Sequence, residues 1–403
     1  MPANTTDNRH PSAEEVLAGA PPVRYEPGAR DRIRAVNAAA GRRLAVLDDD
    51  PTGSQTVHGV SVVTVFEADE YAAGLAEAGS TCFILTNTRS LPEDAAVELN
   101  TIVSTDLFTL GQKLGGPMEV ISRGDSTLRG HFIAEIRAID AARRRVIGAG
   151  FGGVLLIPSY FEAGRFTAGD IHWANIVGKL TPAGDTEFAQ DATFGYTSSN
   201  LRHFIAEKSA GTITAEQVHS VTLEDIRLGG PGRVAEILGG VTGGAFVVVN
   251  ATDYADLEIV VLGLLEAQDD HGCSFGYRSG PSFVRALAGL EPQAPLTAAQ
   301  IWSAGIPGGH GLVVVGSHVG LTSRQVAKAL ERGGITECEL NVSTLIDPAR
   351  RDAHISDIGR QVVEALVVSD VLLFTSRTLM RGGDAEDSLA ISRGVSTAVI
   401  EVV

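Results

Sequence analysis

Aromatic and cysteine residues are scarce in this chain of 403 residues, and each scarcity excludes a class of protein. Aromatics make up 5% of the residues, so we expect a core built mainly of Val, Leu, Ile and Ala, as in parallel-sheet α/β proteins. The three cysteines, Cys82, Cys273 and Cys338, lie far apart, and no Cys-x-x-Cys or Cys/His ligand spacing occurs. The sequence therefore supports neither a disulfide framework nor a structural zinc site, and a reduced, cytoplasmic setting is expected.

Long apolar runs and an excess of positive charge are also missing. Without an apolar run of about 18 residues, no membrane span is expected. The net charge of −17 argues against a general nucleic-acid binder, which needs a basic face to collect phosphates. An anionic ligand would require local arginines, backbone N–H groups or Mg²⁺. Residues 1–40 are predicted to form a polar leader, because they lack the apolar segment of a signal peptide.

The rest of the sequence alternates between apolar runs, turns and helical patterns, which predicts α/β architecture with mostly parallel sheets. We expect a first domain over residues 41–300 and a second over residues 301–403, because prolines cluster before Pro307-Gly308-Gly309. The stretch 161–210 is less regular and is expected to cover the first sheet. The second domain ends in a predicted strand over residues 396–403, so it is expected to be incomplete.

Three consecutive acids, Asp48, Asp49 and Asp50, directly follow the first predicted strand and precede Pro51-Thr52-Gly53. Like charges in sequence repel and are rarely buried without partners. In α/β proteins the carboxyl end of a strand is also where ligands bind. One acid is therefore a candidate general base toward a hydroxyl, and another could hold Mg²⁺ or a polyol. The alternative is a solvated strand end with an Asp that caps the next turn.

A second polar segment, residues 122–131, follows another predicted strand and precedes a helix. It contains Arg123, Asp125, Ser126 and Arg129, and arginine binds carboxylates and phosphates through two hydrogen bonds. Hydroxyls and N–H groups at a helix N-terminus add donors for an anion. The alternative is a capping segment whose arginines lie on the surface.

Two further segments carry weaker signals. Residues 161–172 bring Arg165 and His172 into a glycine-rich stretch, where a surface loop is nearly as plausible as a binding loop. In residues 313–325 a strand ends in Gly-Ser before a helix that Thr or Ser would cap, which is compatible with a phosphate-binding turn. This segment matches neither the Walker pattern nor the Gly-x-Gly-x-x-Gly fingerprint, and no Gly-x-Ser-x-Gly elbow occurs in the chain.

These motifs resemble those of the four-carbon acid sugar kinase family over residues 44–403. Residues 47–55 are similar to its opening acidic motif and residues 122–130 to its Arg-x-Asp-Ser-Thr-x-Arg-Gly motif. Residues 158–167, 186–196 and 277–285 are also family-like. Residues 316–325 resemble the start of its nucleotide-binding domain.

The resemblance implies ATP- and Mg²⁺-dependent phosphorylation of a hydroxyl of a sugar acid such as threonate, erythronate or a 3-oxo-tetronate. It implies an acid-sugar-binding domain, a nucleotide-binding domain and a site in the cleft between them. A homodimer is a separate expectation. The implied catalytic residues are Asp49 and Asp50. The implied substrate-binding residues are Asp48, Thr52, Gly53, Arg123, Asp125, Ser126, Arg129 and Arg165. The implied nucleotide-binding residues are Gly316, Ser317, Thr322 and Gln325.

Two alternatives stand beside the kinase. Family members continue into a Gly-Gly-x-Thr-Ser loop that contacts the nucleotide, and this sequence lacks that loop. A sugar-acid-binding protein with impaired catalysis is therefore the second hypothesis, and a metal-dependent lyase or aldolase that uses the three aspartates is the third.

Overall fold

The structure, a computed structural model, describes residues 11–303, 305 and 308–403. The chain forms two units, and the boundary between them falls between Gln293 and Ala294. The strands are β1 (Arg43–Asp48), β2 (Ser61–Val63), β3 (Thr81–Leu85), β4 (Met118–Arg123), β5 (Gly153–Ile157), β6 (Arg165–Ala168), β7 (Ile171–Ile176), β8 (Lys179–Pro182), β9 (His219–Val221), β10 (Ala245–Val249), β11 (Phe275–Ser279), β12 (Leu312–Val315), β13 (Ile335–Leu340) and β14 (Asp370–Thr375).

The helices connect and flank these strands. They are α1 (Ala13–Leu17), α2 (Ala29–Ala39), α3 (Ala68–Gly74), α4 (Glu93–Leu114), α5 (Phe132–Ile147), α6 (Leu201–Lys208), α7 (Gly230–Gly239), α8 (Tyr254–His271), α9 (Pro281–Leu287), α10 (Ala298–Ile301), α11 (Gly320–Arg332), α12 (Val342–Leu345), α13 (Arg351–Ala365) and α14 (Ala385–Val402). None of the described helices is long and apolar enough to cross a membrane.

The first unit contains an eight-stranded sheet in the order β2-β3-β1-β4-β11-β5-β10-β9. All seven neighbouring pairs in this sheet are parallel. The second unit contains a parallel sheet in the order β12-β14-β13. The predicted α/β class with mostly parallel sheets is confirmed. Apolar strands that are buried on both faces explain the scarcity of aromatics, because Val, Ile and Leu fill such sheets.

Two strands of the large sheet escape the sequence prediction. The short strand β9 lies at one edge, and β11 lies between β4 and β5 near the centre. All five residues of β11 are buried, although Gly276 and Arg278 give it an irregular, partly polar pattern. The pattern of apolar residues could not reveal this strand, because Arg278 reads as an exposed residue in the sequence. It is buried only because residues of other elements pair with it.

The end of the chain differs from the predicted strand. Residues 396–402 belong to helix α14, which begins after Asp384, whose side chain accepts a hydrogen bond from the backbone N–H of Asp387. Val395, Ala398, Val399 and Val402 pack into the core of the second unit. Their spacing follows a helix period, and this periodicity outweighs the strand preference of the β-branched residues in the segment.

The predicted polar leader over residues 1–40 also needs correction in its second half. Helix α2 buries Ala29 and Ile33 in the main core. Arg30 Nε lies 2.7 Å from Glu258 Oε1 of α8. Residues 29–39 are therefore part of the folded unit. Residues 161–210, expected to be irregular, contain the antiparallel sheet β6-β7-β8.

Candidate functional site

The acid cluster and the arginine motif meet at the carboxyl edge of the large sheet. Strands β1, β4 and β11 are neighbours there, and the register aligns Asp48 with Arg123 and Arg123 with Ser279. Because parallel strands end at one edge, the segments that follow them are brought together although more than 150 residues separate the first from the last in sequence.

Two buried arginines pair with buried acids at this edge. Arg123 Nη1 lies 2.9 Å from Asp48 Oδ1. Arg278 Nη2 lies 3.2 Å from Asp49 Oδ2, and Arg278 Nη1 lies 2.6 Å from Glu135 Oε2 of α5. All five residues are less than 9% exposed. Buried ions require such partners, so this cluster of Asp48, Asp49, Arg123, Glu135 and Arg278, called the buried ion cluster below, holds the strand ends together.

Burial perturbs both acids of this cluster. It raises the pKa of Asp48 to about 7, against the opposing effect of Arg123. Burial also raises the pKa of Asp49, although Arg278 opposes the rise. One oxygen of each, Asp48 Oδ2 and Asp49 Oδ1, is buried without a hydrogen-bond partner. A carboxyl in this environment favours the protonated form, so the cluster is able to hold a proton near neutral pH.

Glycines make room for these charged groups. A Cβ atom on Gly53 would lie 1.7 Å from Asp48 Oδ2, so the loop after β1 covers Asp48 directly. Gly130 has a φ of +118°, and its Cβ would lie 2.6 Å from Arg278 Nη2. Gly53 therefore lies directly against Asp48, and a residue with a side chain at this position would collide with the carboxylate.

Charged side chains with exposed surface lie next to the buried ion cluster. Arg89 Nη2 forms an ion pair with Asp50, and Arg89 Nη1 lies 3.7 Å from Asp125 Oδ2. Thr52 donates its backbone N–H to Asp50 Oδ1 at 2.7 Å. Arg129 Nε lies 2.6 Å from Asp125 Oδ2. Burial acts to raise the pKa of Asp125, but Arg129 and Arg89 outweigh it and hold this pKa well below its usual range.

Arg165 reaches the same group of residues from β6. Its Nη1 donates to Ser126 Oγ at 2.6 Å, and its guanidinium lies 5.4 Å from the centre of the Phe188 ring. The guanidinium of Arg129 lies 5.1 Å from the same ring. Phe188 therefore holds two half-buried arginines close together. Such a pair of guanidiniums is suited to a carboxylate or phosphate.

His172 holds the loop that carries Ser126 through buried hydrogen bonds. It is buried, its Nε2 lies 2.8 Å from the backbone oxygen of Ser126, and its Nδ1 lies 3.0 Å from Thr167 Oγ1. Burial lowers its pKa to about 4, so the ring is neutral at physiological pH. This histidine positions the loop of Ser126 and is not itself accessible to a ligand.

The predicted nucleotide-binding residues lie together in the second unit. Ser317 follows β12, and its backbone oxygen accepts a hydrogen bond of 2.7 Å from Arg377 Nη1. Thr322 Oγ1 lies 3.3 Å from Ser317 Oγ, and Gly316 and Gln325 are exposed nearby in sequence. The residue before α11 is Val319, not the predicted Thr or Ser, and no side chain caps the helix. The first N–H groups of α11 are therefore available to an anion.

Three site residues escaped the sequence prediction: Arg89, Glu135 and Arg278. Arg89 follows β3 in a polar turn, which is the same signal that marked the other two loops. Arg278 lies in the missed strand β11, within the family-like stretch 277–285. Glu135 lies on α5, where an acid is ordinary, and only its buried contacts distinguish it.

Family models account for most of the chain. Residues 44–287 match a sugar-binding N-terminal domain, and residues 312–403 match a nucleotide-binding C-terminal domain. The chain belongs to the four-carbon acid sugar kinase family. The buried ion cluster, Arg129 and Arg165 lie in the sugar-binding part of this family, and the uncapped helix α11 lies in its nucleotide-binding part.

Solved structures of similar fold come from three bacteria. A Salmonella typhimurium LT2 protein, provisionally described as a tRNA synthase, has a TM-score of 0.55, 16% identity and coverage of 89% of this chain and 80% of its own. A Haemophilus influenzae protein has a TM-score of 0.47, 16% identity and coverage of 89% and 81%. A Bordetella bronchiseptica domain of unknown function, described as a domain-swapped dimer with bound citrate, has a TM-score of 0.44, 20% identity and coverage of 89% and 80%. No curated protein matches the sequence.

Proposed function

We propose that this protein transfers the terminal phosphoryl group of ATP to a hydroxyl of a four-carbon sugar acid. The observation that carries the proposal is the position of Arg129 and Arg165, two half-buried guanidiniums beside one aromatic ring. Arg129 lies on the loop after β4, and Arg165 begins strand β6. A sugar acid has a carboxylate for the arginines and hydroxyls for the acids, so both parts of the site find a partner in one small molecule.

In the proposed reaction the oxygen of a substrate hydroxyl forms a bond to the γ-phosphorus, the bond to the β-phosphate oxygen breaks, and ADP leaves. The hydroxyl proton passes to a carboxylate, for which Asp49 and Asp50 are the candidates. Asp50 has an exposed surface, whereas Asp49 is 2% exposed. We therefore propose Asp50 as the base and Asp49 as the group that fixes Arg278. Asp48, Thr52, Gly53, Arg123, Asp125 and Ser126 shape and support the substrate pocket.

The nucleotide is proposed to place its phosphates at α11, where the uncapped N–H groups, Gly316, Ser317 and Thr322 supply donors and Gln325 lies one turn further along the helix. The described residues fit the phosphates of a nucleotide better than they fit a Mg²⁺ ion held by protein side chains. Among residues 11–303, 305 and 308–403, no group of three or more His, Cys, Asp or Glu side chains is placed to hold a metal ion. Asp48, Asp49 and Asp125 are each paired with arginine. The cytoplasmic location and the homodimer stay predictions.

The test is ADP release by the full chain with ATP and each of threonate, erythronate and 3-oxo-tetronate, followed by phosphorus NMR of the product. We expect turnover with one of these acids. Asp50→Asn should lower kcat by about 10²–10⁴-fold, the range for loss of a general base. The control Glu98→Gln changes an exposed acid on α4 and should leave kcat unchanged. Binding of an acid without turnover would favour the sugar-acid-binding protein, and absence of both binding and turnover would overturn the proposal.

A further inference from the structure

A half-buried arginine, Arg377, lies beside the turn that joins β12 to α11 in the second unit. Strands β12 and β14 are parallel neighbours, and their register pairs Val315 with Phe374, so the segments that follow them lie at the same edge of the sheet. Ser317 comes two residues after the end of β12, and Arg377 comes two residues after the end of β14. In α/β proteins, ligands bind at the carboxyl ends of such strands.

The guanidinium of Arg377 holds the turn through two neutral oxygens. Its Nη1 donates to the backbone oxygen of Ser317 at 2.7 Å, and its Nη2 donates to Ser323 Oγ on α11 at 2.7 Å. The turn and the start of the helix are therefore fixed by one side chain. Thr375 adds a further contact, because its hydroxyl donates to the backbone oxygen of Gly316 at 3.3 Å.

The positive charge of Arg377 has no acidic partner in the described part of the protein. Both of its hydrogen bonds go to uncharged groups, and it forms no ion pair with a carboxylate of residues 11–303, 305 and 308–403. Arg351 of the same unit is also half-buried, but it pairs with Glu401 at 3.0 Å. A charge that is partly removed from water is stabilised by a counterion, so Arg377 is suited to an anionic ligand.

The charge of Arg377 also acts on the turn itself. His318 directly follows Ser317, and burial together with the charge of Arg377 lowers the pKa of this histidine. Its ring is therefore neutral at pH 7 and adds no second positive charge to the turn. The net charge of −17 on the whole chain repels an anion, so a phosphate at this turn needs a local cation.

We propose that Arg377 binds the phosphate groups of ATP at this turn and supplies the positive charge that the turn itself lacks. A guanidinium carries five N–H bonds. One N–H of each Nη contacts the protein and the Nε–H is buried, so one N–H of each Nη remains for phosphate oxygens. The uncapped first turn of α11 adds uncharged donors. This inference rests on the proposed function, because it takes ATP as the ligand of the second unit.

The experiment titrates ATP into the full chain by calorimetry, with Mg²⁺ in excess. Arg377→Gln removes the charge but keeps an N–H group that is able to donate to Ser317. This variant should bind ATP about 10- to 100-fold more weakly, the range for loss of a hydrogen bond to a charged group. The control Arg393→Gln makes the same change of charge at an exposed position on α14 and should leave the affinity for ATP unchanged.

A second variant separates the charge of Arg377 from its effect on the shape of the turn. Arg377→Lys keeps the charge, but an ammonium group lacks the planar fork that holds Ser317 and Ser323 together. If the charge binds phosphate, this variant should bind ATP about tenfold more tightly than Arg377→Gln. Equal affinities of the two variants would show that Arg377 only shapes the turn, and would overturn the proposal.

The remaining outcomes distinguish this inference from the proposed function. No binding of ATP by the unmodified protein would overturn the proposed kinase function and this inference together. Binding of ATP that Arg377→Gln leaves intact, or that Arg393→Gln weakens to the same extent, would overturn the inference alone. Should Arg377→Gln not fold, a folded Arg377→Lys protein that fails to bind ATP would overturn it, and one that binds ATP would support it.

Discussion

The raised pKa of Asp48 makes a prediction about stability as a function of pH. The folded carboxyl titrates near pH 7, whereas its ordinary value is 3.8. Between about pH 4 and pH 7 the folded state therefore holds a proton that the unfolded chain releases. Stability from this group is present at low pH and is lost as pH rises through that window. A rise of this size corresponds to about 4 kcal/mol at pH 8.

The substitution Asp48→Asn removes this titration and keeps the shape of the side chain. We expect its free energy of unfolding, relative to the unmodified protein, to increase by about 4 kcal/mol between pH 4 and pH 8. His172 acts in the opposite direction, because its lowered pKa costs stability below about pH 6.5. Its contribution is common to both proteins and cancels in the difference.

Urea unfolding at pH 4 to pH 8 measures the difference between the two proteins. Trp173 is buried in the first unit and Trp302 lies in the second, so a Trp302→Phe background makes tryptophan fluorescence report the first unit. Asp69→Asn, at an exposed position on α3, is the control and should follow the unmodified protein at every pH. Parallel curves for Asp48→Asn and the unmodified protein would refute the reasoning, because Asp48 would then be ionised throughout and stabilised by Arg123.

Two further substitutions test the buried ion cluster through the free energy of unfolding. Arg278→Met leaves Asp49 and Glu135 buried without their cation and should lower the free energy of unfolding by about 3–5 kcal/mol at pH 7. The control Arg137→Met, at an exposed position on α5, should lower it by less than about 0.5 kcal/mol. Similar losses in the two variants would contradict the pairing of Arg278 with Asp49 and Glu135. Gly53→Ala places a methyl group against Asp48 and should cost about 1–3 kcal/mol, whereas Gly232→Ala on α7 has open space and should be neutral or stabilising. A neutral Gly53→Ala would show that the loop after β1 moves freely.

The structure also changes how Arg123 is best tested. An arginine that binds a ligand is removed without loss of stability only if it is exposed, yet Arg123 is 5% exposed and pairs with Asp48. Arg123→Ala would therefore destabilise the fold as well as any substrate pocket. Arg165 is half-buried and donates to the hydroxyl of Ser126, whereas Arg129 pairs with Asp125, so Arg165 is the better position for separating binding from stability.

Local sequence determined the architecture and the region of the site. Apolar strands followed by polar turns and helical patterns predict parallel sheets, since these periods follow from backbone geometry. The acids of residues 48–50 and the arginines of residues 123–129 stand at strand ends in the sequence itself. Since parallel strands expose their carboxyl ends at one edge, the sequence alone places these two segments on that edge.

Tertiary structure decided which charges are buried and which partners they have. Strand β11 lies next to β4 only because the chain returns after α8, and this return brings Arg278 to Asp49 and Glu135. Local patterns cannot reveal it, because a buried arginine looks like a surface residue until its partners are known. The same holds for Asp48, whose carboxyl lies covered by Gly53. Burial, and with it the pKa of an acid, depends on contacts between distant segments, so the sequence located the acid cluster while the fold set its protonation.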